Sequence, residues 1–479
     1  MSTRCLPLLL ALLLWVAPAG LCAAGDPVDQ GIQAFNRGDF AAAMDHFGAA
    51  VKERPRDAAA YAWLGSAQLR AKRYEDAITS LTRAVELDPK MPEAHNNLGS
   101  AYWATGKREE AIEQYGQAVY LQPHYAVPHY NLGTVYLSAD QLDQATGEFA
   151  AAVELDPKNA DAYNNLGVAN ERKGRLAEAI AAYQKAVEAE PGSHSFRLNL
   201  ATALRAAGRD DEALAQLAKL TGASTREPEA YVNLGLIRYQ RKEYQLAQAT
   251  FRQAVKLDAR NAAAYYNLGL CARQLGGREE ARESFRKAVE LTPRSVNARI
   301  NLGAMELEDG DAQSAVTHFA AAVTEDPSSY SAAFNLGLAY TRLGNDSDAI
   351  RAWSGLAESA PDDPAVHEAL ASTYFKLHRY DDARREYEAV IRLKPRSVVA
   401  HNNLGIIYEE FGQLDQAAAA YRAALQVDSG YAPAHNNLGV VYERRGKNEE
   451  AIAEYRAALA ADPALKDARR NLERLVPPE

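Results

Sequence analysis

An asparagine recurs at a fixed spacing of 34 residues along most of this chain of 479 residues. The spacing misses one position, Ala369, and then resumes in the same register. The recurring residues are Asn97, Asn131, Asn165, Asn199, Asn233, Asn267, Asn301, Asn335, Asn403, Asn437 and Asn471. A carboxamide both donates and accepts hydrogen bonds, so a regular row of these side chains predicts a surface that binds the backbone of an extended chain. The fixed period also predicts a repeat array instead of a single globular core.

Two amphipathic helical patterns make up each 34-residue unit. With position 1 at Ala24, 13 units end at residue 465, and residues 466–479 follow in the same register. In the third unit the pattern predicts a first helix over 93–105, which ends at Gly106, and a second helix over 108–121. Each unit is therefore predicted to be a helical hairpin.

Five further positions carry a recurring residue type with a structural reason. Position 8 is usually Gly and position 20 is always Ala, and small residues allow two helices to cross closely. Position 24 is large and is predicted to fill the space toward the next unit. Gly at position 15 suits the left-handed residue after a helix, and Pro at position 32 ends the second helix. The sixth unit lacks this Pro and contains Gly222, which predicts a shorter second helix.

These residues, with Leu-Gly at positions 7 and 8, resemble the tetratricopeptide repeat. The sequences at 95–99 and 435–439 are most similar to the repeat domain of the O-linked N-acetylglucosamine transferases. The resemblance implies an all-α fold, a right-handed superhelical solenoid of about 13 hairpins with a C-terminal capping helix. It also implies that the recurring asparagines line a concave face and bind extended peptides. It does not imply sugar transfer, because the repeats leave no room for the catalytic domain of that family.

Position 5 lies beside the asparagine and is predicted to give the groove its selectivity. It is apolar or aromatic in the middle of the chain and polar toward both ends. The predicted peptide-binding residues at this position are Tyr130, Val232, Tyr266, Ile300 and Phe334. An exposed apolar stripe usually marks a binding surface, so we predict an apolar-floored groove through units 7 to 10. Two alternatives remain: curvature buries these side chains, or the asparagines only satisfy groups of their own helices.

Neither a catalytic site nor a metal site is predicted. The sequence has no Gly-rich phosphate loop, G-x-S-x-G, H-E-x-x-H or CxxC motif. Five histidines occupy position 4, one repeat apart, whereas metal ligands must converge on one ion. These histidines are His95, His129, His367, His401 and His435. Cys271 occupies position 10, where other units have small core residues, so we expect it to be packed and not nucleophilic. We expect no enzymatic activity and no cofactor.

The first 24 residues have the pattern of a secretory signal. Arg4 precedes an apolar run over 6–16 and a segment of small residues. That run is too short to span a bilayer, and Leu21 before Cys22 disfavours lipidation. Removal of this segment leaves 52 Lys and Arg against 63 Asp and Glu, an acidic balance that disfavours nucleic-acid binding. We expect an exported protein, periplasmic or secreted.

The predicted organisation is a signal peptide over 1–24, a solenoid over 25–465 and a capping helix with a tail over 466–479. The leading functional hypothesis is a non-enzymatic scaffold of the cell envelope that holds extended peptide segments of a protein partner. Its place in an envelope assembly complex follows from analogy with other periplasmic repeat proteins. The alternatives are an accessory subunit of an envelope polysaccharide synthesis or secretion complex with a glycosyltransferase, and a passive spacer.

Overall fold

The computed structural model describes residues 25–221 and 226–476 of the chain. The regular structure in these two ranges is helical throughout. The chain divides into two compact units, Met1–Leu257 and Asp258–Glu479. The predicted signal segment and Gly222 lie outside the described residues.

The first unit is a series of helical hairpins. Its helices are α1 (Pro27–Asn36), α2 (Phe40–Glu53), α3 (Ala58–Arg70), α4 (Tyr74–Leu87), α5 (Pro92–Ala104), α6 (Arg108–Leu121), α7 (Ala126–Ser138), α8 (Leu142–Leu155), α9 (Ala160–Arg172), α10 (Leu176–Ala189), α11 (His194–Ala206), α12 (Asp210–Ala218), α13 (Pro228–Gln240) and α14 (Tyr244–Leu257). The helices of the third repeat, α5 and α6, begin and end within about one residue of the prediction. Helix α12, in the sixth repeat, has 9 residues where α10 has 14, which confirms the predicted shortening.

The second unit repeats the same hairpin. Its helices are α15 (Ala262–Gln274), α16 (Arg278–Leu291), α17 (Val296–Glu308), α18 (Ala312–Glu325), α19 (Tyr330–Arg342), α20 (Asp346–Ser359), α21 (Pro364–Lys376), α22 (Tyr380–Leu393), α23 (Val398–Glu410), α24 (Leu414–Val427), α25 (Ala432–Arg444), α26 (Asn448–Ala461) and α27 (Lys466–Leu475). Within this unit each helix packs against the next one along the chain. The predicted all-α solenoid of hairpins is confirmed.

The glycine at position 8 makes room for the large side chain at position 24 of its own hairpin. A Cβ atom added to Gly99 would lie 2.8 Å from Cδ1 of the buried Tyr115 ring. The same ring also packs with Leu132 and Val135 of the next repeat. The prediction that position 24 fills the space toward the next unit is therefore incomplete, because the ring first closes its own hairpin.

The turn between the two helices of each hairpin contains a left-handed residue at position 15. Nine of these residues are glycine, and the other four are Lys72, Asp140, Lys242 and His378. The predicted turn conformation is therefore present in every repeat, including those in which the residue is not glycine.

Cys271 lies in α15 with no exposed surface. Desolvation by burial raises the pKa of its thiol to about 12. A thiol with this pKa is protonated at neutral pH and unreactive, as expected for a packing residue.

Candidate functional site on the first helices of the repeats

In the first compact unit of the chain, which ends at Leu257, several recurring asparagines bond to the 34-residue repeat that precedes their own. Nδ2 of Asn131 donates to Oδ1 of Asn96 at 3.0 Å, and Nδ2 of Asn199 donates to Oδ1 of Asn164 at 2.8 Å. Each bond joins position 6 of one repeat to position 5 of the repeat before it. We call such a bond a rung, and a series of them an amide ladder. These two asparagines, which were predicted as peptide ligands, hold neighbouring repeats together.

The hydroxyl of Tyr130 also serves as the acceptor of a rung. Nδ2 of Asn165 donates to it at 3.4 Å. The Tyr130 side chain is only 8 % exposed, and its ring lies 6.0 Å from that of Phe149, between ring centres. Tyr130, which was predicted as a peptide-binding residue, is therefore largely buried and packs into the core beside position 24.

The ladder of the second unit has two rungs, and hydrogen bonds within the repeats join them into one continuous series. Nδ2 of Asn471 donates to Oδ1 of Asn436 at 3.0 Å, and Nδ2 of Asn437 donates to Oδ1 of Asn402 at 3.2 Å. Adjacent asparagines within a repeat connect these rungs. Asn436 donates to Asn437 and Asn402 donates to Asn403, each at 3.2 Å.

The last donor of this series is Asn403, whose Nδ2 bonds to the Tyr387 hydroxyl at 2.9 Å. The five asparagines thus form one continuous amide relay, which runs Asn471, Asn436, Asn437, Asn402, Asn403 and ends at Tyr387. All its donors point in the same direction, and hydrogen bonds arranged head to tail polarise one another. The relay therefore has its positive end at Tyr387.

A shorter series of head-to-tail hydrogen bonds lies at the N-terminal end of the ladder in the first compact unit. Asn96 donates to Oδ1 of Asn97 at 3.4 Å, and Asn97 donates to Oγ of Ser66 at 2.9 Å. Among the asparagines predicted as peptide ligands, Asn97, Asn403 and Asn437 therefore also have intramolecular acceptors. In the laddered repeats the amides bond to the preceding repeat, an arrangement that differs both from an open row of amides and from amides that satisfy only their own helices.

The ladder stops where position 5 of the preceding repeat is apolar. Asn233 follows the repeat of Leu198, whose side chain has no acceptor. Its Nδ2 instead donates to the backbone oxygen of Glu229, one turn earlier in α13, at 3.0 Å. Its Oδ1 accepts a hydrogen bond from Nε of Arg205 at 3.0 Å. Val232, beside it, is partly exposed.

Three consecutive repeats of the second unit have no rung. Nδ2 of Asn267 donates to the backbone oxygen of Ala263 at 2.8 Å, and Nδ2 of Asn301 donates to that of Asn297 at 2.9 Å. Asn335 has no hydrogen-bond partner among the described residues. Oδ1 of Asn301 also accepts from Nη1 of Arg273 at 3.0 Å, so this amide is bonded at both ends, like that of Asn233. All three amides are partly exposed, and each retains a second N–H or a second lone pair for a ligand.

Apolar side chains lie beside these three amides. Tyr266, Ile300 and Phe334 at position 5 are partly exposed, in contrast to the buried Tyr130. Tyr330 and Leu338 are 38 % and 37 % exposed. The ring of Phe334 stacks on that of Tyr330, with centres 5.6 Å apart. We call this surface the open face, formed by α15, α17 and α19 through Asn267, Asn301, Asn335, Tyr266, Ile300, Phe334, Tyr330 and Leu338.

Histidines at position 4 pack against the second helix of their own repeat. Nδ1 of His129 lies 2.6 Å from Oε2 of Glu148, and Nε2 lies 3.1 Å from the backbone oxygen of Pro123. His95 has the same arrangement with the uncharged Gln114. Within the described ranges, no group of three or more His, Cys, Asp or Glu side chains is arranged to hold a metal ion.

The pair of His129 and Glu148 is expected to make the stability of the protein depend on pH. The hydrogen bond that His129 donates to the Glu148 carboxylate raises the pKa of His129, against the opposing effect of burial. A raised folded-state pKa means that the stabilisation is complete below the ordinary pKa of about 6.5 and is lost as the pH rises through the raised value. Changing Glu148 to glutamine keeps an acceptor, as in the pair of His95 and Gln114, and removes the charge.

We expect Glu148→Gln to reduce the free energy of unfolding by about 1–2 kcal/mol at pH 5.5 and by much less at pH 9. Urea unfolding at the two pH values measures this difference. Glu154→Gln on the same helix is the control, because this side chain is exposed. An equal loss at both pH values would contradict the assignment.

Comparisons with known families agree with the hairpin geometry. A family model described as the cilia and flagella-associated protein 70 C-terminal domain matches residues 28–265. Models of the tetratricopeptide repeat match residues 272–330, 368–433 and 410–465, and a further one matches 306–373. The chain belongs to the tetratricopeptide repeat proteins. No curated protein sequence matches it.

Several solved structures are similar to all or part of this tetratricopeptide repeat protein. A crystal structure of MamA has 32 % sequence identity and a TM-score of 0.32, over 34 % of this chain and 94 % of that chain. A thermophilic tetratricopeptide repeat protein of Thermus thermophilus has 29 % identity and a TM-score of 0.31, over 37 % and 97 % of the two chains. The Cut9–Hcn1 hetero-tetramer of the APC/C has 16 % identity and a TM-score of 0.37, over 95 % and 97 %.

None of the helices in the described ranges is both long enough and apolar enough to cross a membrane. Tetratricopeptide repeat proteins bind protein partners, and the site described above is consistent with that role.

Proposed function

We propose that this protein is a non-enzymatic scaffold that binds an extended segment of a protein partner along the open face. The observation that supports this proposal is the interruption of the amide ladder in repeats 8 to 10. There, Asn267, Asn301 and Asn335 have no rung and lie beside partly exposed apolar side chains. A face with both amides and apolar side chains suits a peptide, whose backbone bonds to the amides while its side chains fill the apolar spaces.

The spacing of the repeats suits an extended ligand. Neighbouring packed helices lie about 8–10 Å apart, and an extended chain advances about 3.3 Å per residue. Each amide would therefore meet about every third residue of the ligand, and three amides would hold a segment of about 6–9 residues. The compartment in this proposal is the cell envelope, supported by the signal-like pattern of residues 1–24. Assembly of an envelope complex is the proposed task.

The triple change of Asn267, Asn301 and Asn335 to alanine tests the open face. We expect it to weaken a bound peptide about 10-fold to 100-fold, because the ligand backbone loses up to three hydrogen bonds of about 0.5–1.5 kcal/mol each. The probes are 12-residue peptides selected from a phage-displayed library on the full chain, synthesised with a fluorophore and titrated by anisotropy.

The matched control is the triple change of Asn131, Asn165 and Asn199 to alanine, which removes rungs and leaves the open face intact. It should keep the peptide affinity under conditions in which it is folded. Crosslinking gives an independent location: a photoreactive phenylalanine at Leu338 should capture the peptide, and one at Tyr120, which is 79 % exposed, should not. Unchanged affinity in the first triple variant would contradict the proposal.

A further inference from the structure

The eleventh repeat departs from the others at several positions at once. It has Ala369 in place of the recurring asparagine, Ala371 in place of the glycine at position 8, and Glu368 at position 5. It also has Lys394 at position 31, where several other repeats have an aspartate. In those repeats the aspartate holds the turn between hairpins, as Oδ1 of Asp428 does by accepting from the backbone N–H of Gly430 at 2.9 Å.

Lys394 cannot hold the turn in this way and extends toward the first helix. Its Nζ lies 3.5 Å from Oε1 of Glu368. Both side chains are about half exposed, so this ion pair is weak and can open for a ligand. Arg396, two residues later, is exposed and has no ion-pair partner among the described residues.

Glu368, Lys394 and Arg396 line a single cavity of about 410 Å³ beside the first helices α21 and α23. Its lining includes Glu368, Tyr387, Lys394, Arg396, Val399 and Asn403. Val399 is 54 % exposed and provides an apolar patch among polar groups. The volume lies in the range of small-ligand pockets and is large enough for a side chain together with its backbone.

The hydroxyl of Tyr387 is oriented differently from those of other tyrosines at position 24. Tyr421 donates to Oε2 of Glu409 at position 12 of its own repeat, at 2.6 Å. Position 12 of the eleventh repeat is Phe375, which has no acceptor. The Tyr387 hydroxyl instead accepts from Asn403, and its own proton has no acceptor among the described residues. The side chain is 3 % exposed and lines the cavity, so this donor is buried and unused.

The electrostatics of the cavity favour an anion. Two cations, Lys394 and Arg396, face one acid, Glu368. The amide relay ends at Tyr387 with its donors directed toward the cavity, and aligned amide dipoles act there as a partial positive charge. This local charge is opposite to the formal net charge of −10 of the whole chain.

We propose that this cavity binds the carboxylate of an aspartate or glutamate side chain in the segment that the open face holds. The Tyr387 hydroxyl donates to one carboxylate oxygen, and Lys394 and Arg396 neutralise the charge, while Val399 contacts the aliphatic part of the ligand. This inference rests on the proposed function, because the cavity and the open face belong to the same unit. It adds a requirement on the partner: an acidic residue follows or precedes the stretch that binds repeats 8 to 10.

Selection from the same phage-displayed 12-residue library tests this inference on the full chain. Peptides selected on the natural protein should be enriched in Asp and Glu relative to the starting library. The enrichment should disappear when the selection is repeated on Tyr387→Phe and on the double variant Lys394→Gln/Arg396→Gln. Tyr421→Phe is the matched control, since its hydroxyl bonds to Glu409 away from the cavity. This variant should preserve the enrichment.

The affinity of one selected acidic peptide then locates the contact. Its Glu→Gln version should bind the natural protein about 10-fold more weakly, and Tyr387→Phe should cause a similar loss, as expected when a hydrogen bond to a charged group is removed. The two losses should not add when combined. Selected peptides without acidic enrichment, or enrichment that persists in both cavity variants, would overturn the cavity assignment alone. A selection that yields no binding peptide overturns the proposed function and this inference with it.

Discussion

Changing Gly337 to alanine is expected to destabilise the protein, although alanine is the better helix former. A Cβ atom added to Gly337 would lie 2.3 Å from Cε2 and Nε1 of Trp353. Trp353 is 2 % exposed and also donates from Nε1 to the backbone oxygen of Phe334 at 3.2 Å, so its ring cannot move without loss. Overpacking of a core typically costs about 1–3 kcal/mol, which exceeds the gain in helix propensity.

Gly355 provides a control of opposite sign in the same repeat. A Cβ atom added there has no neighbour within 4 Å. Gly355→Ala is therefore expected to stabilise the protein by about 0.5–1 kcal/mol, because alanine loses less conformational entropy in a helix. Thermal melting followed by circular dichroism measures both changes. If both variants melt at a higher temperature than the natural protein, the close packing of Gly337 against Trp353 is incorrect.

The second large effect is expected from the ladder of the first unit. Changing Asn131, Asn165 and Asn199 together to alanine removes the donors of three rungs. Two of the acceptors left behind, Oδ1 of Asn96 and Oδ1 of Asn164, belong to buried side chains. A buried polar group without a partner costs about 1–3 kcal/mol, so the triple change should reduce stability by about 3–6 kcal/mol.

The triple change of Asn267, Asn301 and Asn335 removes the same number of amides from the open face and should stay within about 0.5 kcal/mol per site. Urea unfolding of the two triple variants side by side provides the measurement. Equal stability of the two variants would show that the rungs contribute nothing to the association of neighbouring repeats. A larger loss in the second variant would show that the open face has a structural role.

Much of the fold could be predicted from residue types at fixed spacing. Gly at position 8, Ala at position 20 and Gly at position 15 each have one physical use, in close helix crossing or in a left-handed turn, so their spacing predicts the hairpin. The boundaries of α5 and α6 followed from Gly106 and Pro123. The contact of Tyr115 with Gly99 of the same repeat could not be predicted, because sequence spacing does not show which of two neighbouring repeats the ring contacts.

The direction of the asparagine side chains could not be predicted from the row of asparagines alone. An amide bonds to the nearest suitable acceptor, and that acceptor belongs to the preceding repeat. Whether a rung forms depends on the residue 35 positions before the asparagine. This residue is the acceptor Asn96 for Asn131 and the apolar Leu198 for Asn233. The binding hypothesis placed the apolar groove in units 7 to 10 but assigned the asparagines of all the repeats to the ligand, whereas in the structure the asparagines of the laddered repeats bond to the preceding repeat.

The cavity residues Tyr387, Lys394 and Arg396 were also missed, because none of them lies on a first helix. The signal that could have found them was the one gap in the asparagine row, at Ala369. That gap coincides with a lysine where several other repeats have aspartate. Residues that differ from the repeat consensus at separate positions can be assigned to one site only when the folded structure shows that they lie close together.

The direction of the amide relay also sets a rule for rearranging the repeats. A repeat with asparagine at position 6 completes a rung only behind a repeat that offers an acceptor at position 5, as Asn96, Tyr130 and Asn402 do. Placed behind Leu198 or Ile300, the same repeat would form its hairpin and lack the rung. The repeats are therefore identical in length but not interchangeable in order. A chain with shuffled repeats would keep its hydrophobic core and lose the hydrogen bonds that make one junction between repeats different from another.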